Sequence, residues 1–111
     1  MSEPANTADL TLAVVAGVFD ARPGAEAELG AVLAHYVVVS RTSPGCRNID
    51  LCGSVTAPGR YLVIEKWDSP ASQRAHFDSP DMVEMARACN GLLTKPPQID
   101  LLEAISAHDL N

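Results

Sequence analysis

The order in which the apolar residues change their spacing is the strongest constraint on this chain. Leu10 to Phe19 is rich in Val, Leu and Ala and stops at the turn Asp20-Ala-Arg-Pro-Gly24, as a strand does. Leu29, Val32, Leu33, Tyr36 and Val37 then follow the i, i+3, i+4, i+7, i+8 spacing of an amphipathic helix from Ala25 onward. The β-branched run Val37-Val38-Val39 weakens that helix at its C-terminal end. Ser43-Pro44-Gly45 closes the unit. Cys46 to Ser54 alternates as a second strand, and Arg60 to Trp67 follows a short turn as a third, which predicts an antiparallel hairpin. Ser69-Pro70 and Ser79-Pro80 each pair a serine N-cap with proline at the first helical position. The first predicts a short helix through His76. The second predicts a longer one with Met82, Met85, Ala86, Cys89, Leu92 and Leu93 on one face, ended by Pro96-Pro97. Gln98 to Ile105 is a fourth strand.

Strand, helix, strand, strand, helical segment, strand is the split βαβ, ferredoxin-like α+β arrangement: a four-stranded antiparallel sheet with helices on one face. Residues 10–105 form this one domain, and residues 1–9 and 106–111 read as polar tails. Both faces of the strands are apolar. Leu12, Val14, Ala16 and Val18 oppose Ala13, Val15 and Phe19, and Leu62 and Ile64 oppose Tyr61, Val63 and Trp67. One helix layer covers one face only, so a second copy of the sheet is the expected cover of the other, in a two-fold homodimer. In the second strand Cys46, Asn48, Asp50 and Cys52 are expected to share a face opposite Ile49 and Leu51.

Composition narrows the function classes. The 111 residues suit a single domain, and 47% hydrophobic content is too high for a disordered chain. Eight Lys and Arg against fourteen Asp and Glu give a net charge of −6, which would repel a polyanion and argues against nucleic acid as a partner. No apolar stretch is long enough to span a membrane. Cys46, Cys52 and Cys89 form no C-x-x-C pair and no Cys/His metal spacing, so they read as reduced thiols in a cytoplasmic protein with no metal site. The first nine residues lack the basic cluster and apolar core of a signal peptide.

No nucleophile elbow, phosphate loop, dinucleotide fingerprint or HExxH motif is present. His76, after the third strand, is the side chain best suited to move a proton near neutral pH. Its alternative is a helix-end histidine that packs or caps. Glu65 and Trp67 share a strand face with Tyr61 and Val63, and a carboxylate there requires a partner, either a ligand, a histidine or an arginine. Trp67 could stack on a flat ligand, and Asn48 and Asp50 could hydrogen-bond one or lie at a solvated edge. Tyr36 and Met82 complete the candidate substrate-binding set of Trp67, Glu65, Asn48, Tyr36 and Met82. His35 reads as a surface residue.

Ala21-Arg-Pro-Gly24, Arg41-Thr-Ser-Pro-Gly-Cys46, Tyr61-Leu-Val-Ile-Glu-Lys-Trp67-Asp-Ser69 and Ala75-His76-Phe-Asp-Ser79-Pro80 together resemble the antibiotic biosynthesis monooxygenase domain family, over most of Leu10 to Ile105. The resemblance implies a dimeric α/β barrel with a pocket between the sheet and helices of each subunit. It also implies oxygenation, without a cofactor, of a small electron-rich aromatic such as a quinol or polyketide anthrone by dioxygen. His76 would be the catalytic base, with Glu65 and Trp67 supporting it. The other outcomes on this fold are an isomerase or a non-catalytic, small-molecule-binding dimer. Ile49 stands where many members have an aromatic residue, and Asp81 where many have a second histidine. The haem-degrading branch uses an Asn on the first strand with a Trp and a His on the second helical segment, and this chain offers Gly17, His76 and Ala86 there, which disfavours haem degradation.

Overall fold

A computed structural model describes residues 12–107. The elements run β1 (Ala13–Asp20), α1 (Glu26–Ser40), β2 (Cys46–Gly53), β3 (Arg60–Trp67), α2 (Pro70–Phe77), α3 (Pro80–Ala88) and β4 (Gln98–Glu103). The strands form one antiparallel sheet in the order β2-β3-β1-β4, the ferredoxin-like arrangement expected. Leu10 and Thr11, assigned above to the first strand, lie outside the described residues.

Alternation in β1 turns Ala13, Val15, Gly17 and Phe19 inward and leaves Val14, Ala16 and Val18 half-buried on the other face. In β3, Val63, Glu65 and Trp67 face inward. α1 closes over them with Leu29, Leu33, Tyr36 and Val37, and it runs unbroken through the three valines to Ser40. Burial of Tyr36, Val37 and Ser40 outweighs the weak helical preference of the β-branched residues there. Ser69 and Ser79 do cap α2 and α3, accepting from the backbone N–H of Ser72 (3.1 Å) and Met82 (3.3 Å).

Two element ends and one strand register differ from the sequence pattern. α3 ends at Ala88, with Leu92 and Leu93 beyond it, because the chain reverses at Gly91 (φ 84°). Leu92 still joins the core, and the Leu92 carbonyl accepts from Arg22 N–H at 2.8 Å. β4 stops at Glu103, short of Ile105, which is exposed. In β2 the register shifts between Cys46 and Asn48: Cys46 opposes Trp67 and Asn48 opposes Lys66. This bulge moves Cys46 onto the helix-covered face with Ile49 and Leu51, away from Asn48, Asp50 and Cys52, whose common face was read correctly.

Candidate functional site

Glu65 is the anomaly around which the site is built. It sits in the middle of β3 between Val15 of β1 and Ile49 of β2, on the covered face, and is only 4% exposed. A carboxylate there needs donors. Tyr36, one turn before the end of α1, donates its hydroxyl to Glu65 Oε2 at 2.6 Å. Trp67, two residues along the same strand face, donates Nε1–H to Oε1 at 2.9 Å. Both donors are neutral side chains, where an arginine had been one expectation.

His76 completes the cluster from α2 and is also 4% exposed. Its Nε2 lies 3.0 Å from the Tyr36 hydroxyl and its Nδ1 lies 3.3 Å from Ser43 Oγ. The imidazole stacks on the Trp67 ring with centroids 4.6 Å apart and planes 29° from parallel. Ser43 reaches it because the following turn packs against the start of α2. Gly45 has φ 82°, a Cβ there would collide with Ser72, and its carbonyl accepts from Asp68 N–H at 2.8 Å.

Electrostatics follow from burial. Desolvation lowers the proton affinity of His76 below that of a free imidazole, and the charges of Glu65 and Asp81 partly oppose this. His76 is therefore neutral at pH 7. Burial, reinforced by the Glu65 charge, holds the Tyr36 phenol far above its ordinary value, so it stays protonated. Burial and the Glu65 charge also raise the Cys46 thiol, and burial alone raises Cys89.

Two cavities meet His76. An inner one of about 20 Å³, room for a single water-sized molecule, is lined by Val15, Gly17, Phe19 and Val63 from the sheet and by Phe77, Met82 and Met85 from the helices, with Tyr36, Glu65 and His76 at its polar end. A second, of about 110 Å³, lies on the Ser43 side. A larger groove of about 330 Å³ runs between α1 and α3, with Val32, Val39, Glu28, Asp81 and Glu84 among its lining, and it shares Tyr36 and Met85 with the inner cavity.

Of the residues singled out in the sequence, His76, Glu65, Trp67 and Tyr36 come into contact and Met82 lines the inner cavity. Asn48 does not join them. It faces the helix-free side of the sheet, exposed, and donates to Asp50 Oδ2 at 3.1 Å. Ile49 is fully buried beside Glu65, and Asp81 lies in the outer groove. Ser43 was missed, although it lies in the Ser-Pro-Gly turn already noted. Among the described residues no group of three or more His, Cys, Asp or Glu side chains is placed to hold a metal ion.

The sequence profile of the family described as Antibiotic biosynthesis monooxygenase matches residues 12–88, from β1 to the end of α3. The chain belongs to this family. A solved structure from Mycobacterium tuberculosis, Rv0793, is 27% identical and superposes with a TM-score of 0.80, covering 86% of this chain and 97% of that one. A Nitrosomonas europaea protein of unknown function, 21% identical, gives 0.82 over 93% and 98% of the two chains, a likeness of fold. An uncharacterised protein of Synechocystis is 28% identical over 97 residues, or 87% of this chain, and the match spans 66% of that protein's length.

Proposed function

We propose that the protein is a monooxygenase that uses no organic cofactor or metal and oxidises a small electron-rich aromatic, of the quinol or anthrone type, with dioxygen. Membership of the antibiotic biosynthesis monooxygenase family supports the reaction class. The observation that carries the assignment to residues is the buried, neutral His76 held between the Trp67 ring and the Tyr36–Glu65 pair.

Dioxygen is a triplet and reacts slowly with closed-shell phenols. Removing the phenolic or enolic proton leaves an electron-rich anion that passes one electron to dioxygen. The radical pair then combines into a C–O bond, and the peroxide anion so formed takes back the proton held by His76 to become a hydroperoxide. Loss of the proton on that carbon with cleavage of the O–O bond gives the carbonyl product and water. The protein's tasks are to take the first proton, hold the anion and exclude bulk water. His76 is the base. The imidazolium it becomes donates Nε2–H to Tyr36, which donates to Glu65, so the carboxylate balances the new charge through the tyrosine, as the third member of a triad orients and supports its base. Trp67 holds the plane of the ring by stacking. Met82 and Met85, unbranched and adaptable, line the water-sized inner cavity behind the base and help keep bulk water from it.

The working unit is a homodimer through the helix-free sheet face. Val14, Ala16, Val18, Leu62 and Ile64 form an apolar strip there, and Leu102 on β4 continues it. No helix of the described residues is long and apolar enough to cross a membrane. A cytoplasmic location fits three unpaired cysteines and belongs to the same proposal.

Oxygen consumption by the purified, chelator-treated protein with a panel of quinols and anthrones tests the reading. Uptake above the spontaneous rate supports it. Proton transfer without oxygen uptake would point instead to an isomerase using the same histidine.

A further inference from the structure

The hydrogen bonds around His76 decide which of its nitrogens is free to act. Tyr36 has one hydroxyl hydrogen, and the 2.6 Å contact commits it to Glu65. The Tyr36 oxygen can then only accept from His76, so Nε2 carries the hydrogen. In a neutral imidazole the other nitrogen, Nδ1, holds the lone pair, and it accepts from Ser43. The inner cavity adjoins Tyr36 and Glu65, partners of the protonated side of the ring. The lone pair faces the other way, toward the 110 Å³ vestibule between the Ser43-Pro44 turn and α2, lined also by Ser72, Ala75 and Ser79.

That vestibule is furnished for a hydroxyl group. The Ser43 contact, at 3.3 Å, is long for an O–H donor and easily displaced. Ser79 Oγ accepts from Met82 N–H, and Ser72 Oγ accepts from the Ser69 hydroxyl. Each of these two serines keeps its own hydroxyl hydrogen to donate to an oxygen beside Nδ1. The base and these two hydroxyls therefore line one small cavity, which suits an O–H that becomes an O⁻. The volume is below the roughly 300–1,000 Å³ of pockets for drug-sized ligands.

We infer that this vestibule is the substrate's hydroxyl subsite: a phenolic or enolic O–H replaces Ser43 at His76 Nδ1, gives its proton there, and leaves an anion held by Ser72 and Ser79. The O–H bond breaks, an N–H bond forms at Nδ1, and no oxidant enters this step. Tyr36 is the positioning residue, because it fixes the tautomer that aims the lone pair outward. The inference rests on the reading of His76 as the base, and its test needs no oxygenation.

Histidine-labelled protein is examined by ¹⁵N NMR, with His76 assigned by loss of its signals in His76→Gln, and is titrated anaerobically with phenol. The expected result is an unprotonated Nδ1 and protonated Nε2 in the free protein, with the Nδ1 signal moving as phenol binds. Ala75→Leu, an exposed helical position whose longer side chain fills the vestibule, should weaken phenol binding about tenfold or more, equivalent to about 1.4 kcal/mol. Gly17→Ala, whose Cβ would lie 3.1 Å from Phe19 Cε1 by the inner cavity, should leave binding within about twofold. An unprotonated Nε2 in the wild-type protein, or phenol binding lost in Gly17→Ala and kept in Ala75→Leu, overturns the inference. Oxygen uptake that depends on His76, combined with either of those results, would leave the oxygenase reading standing. The expected tautomer and phenol response without any uptake would remove only the oxygenase.

Discussion

Replacing Tyr36 by Phe removes one oxygen atom and breaks both contacts of the cluster that cross from α1. Glu65 Oε2 loses its 2.6 Å donor and His76 Nε2–H loses its 3.0 Å acceptor. Neither group has easy access to water, since each residue is 4% exposed. A hydrogen bond to a charged group is worth about 1.5–3 kcal/mol, and an unsatisfied buried donor costs about 1–3 kcal/mol. Tyr36→Phe should therefore destabilise the fold by about 3–5 kcal/mol. A domain of this size is commonly stable by about 5–15 kcal/mol, so the variant should still fold. Urea unfolding at pH 7, followed by the fluorescence of Trp67, the chain's single tryptophan, reads the change directly. The midpoint should fall with little change in slope. In Tyr36→Phe/Glu65→Gln the charge is gone, so the second substitution should recover part of the loss, giving a coupling of about 1 kcal/mol or more. A single-variant effect below about 0.5 kcal/mol would mean that the contacts are not made as described.

Wild-type protein should sediment as a dimer at micromolar concentration and Val14→Asp, on the helix-free face, as a monomer or unfolded chain, because a bare carboxylate in a dry interface is not tolerated; a folded wild-type monomer would refute this. Leu33→Ala empties a fully buried site and should cost about 2–5 kcal/mol in the same urea assay. Folding lowers the proton affinity of His76, so the unfolded chain binds the extra proton and stability falls as pH drops through the unfolded value of 6.5 toward the lower folded one. The slope in that window is at most about 1.4 kcal/mol per pH unit for one proton, and His76→Gln should remove that component.

How far the sequence could be read depended on the range of the interactions involved. The helix starts at Ser69-Pro70 and Ser79-Pro80 were legible because capping is local, a bond from serine to a backbone N–H three residues on. The sheet order followed from the succession of periods. The bulge at Cys46 was not legible, since one extra residue changes which face the thiol occupies without altering the composition of the strand. The sequence marked Glu65 as needing a partner and left several open. Tyr36, 29 positions away, and the Tyr36–His76 contact, spanning 40 positions, depend on how α1 and α2 pack on the sheet. Asn48 was assigned to the site on residue type alone, and strand alternation beyond the bulge carries it to the opposite face.

Oxygen uptake by wild-type and His76→Ala protein tests most directly whether His76 acts as a base in oxygenation. Both would be stripped of metal, matched for dimer content and supplied with the same quinol across a range of pH. A positioned base contributes about 10²–10⁴-fold, so kcat/KM for the variant should be lower by that order, and the wild-type rate should fall as His76 becomes protonated. Equal rates for the two proteins above the spontaneous oxidation would contradict the account.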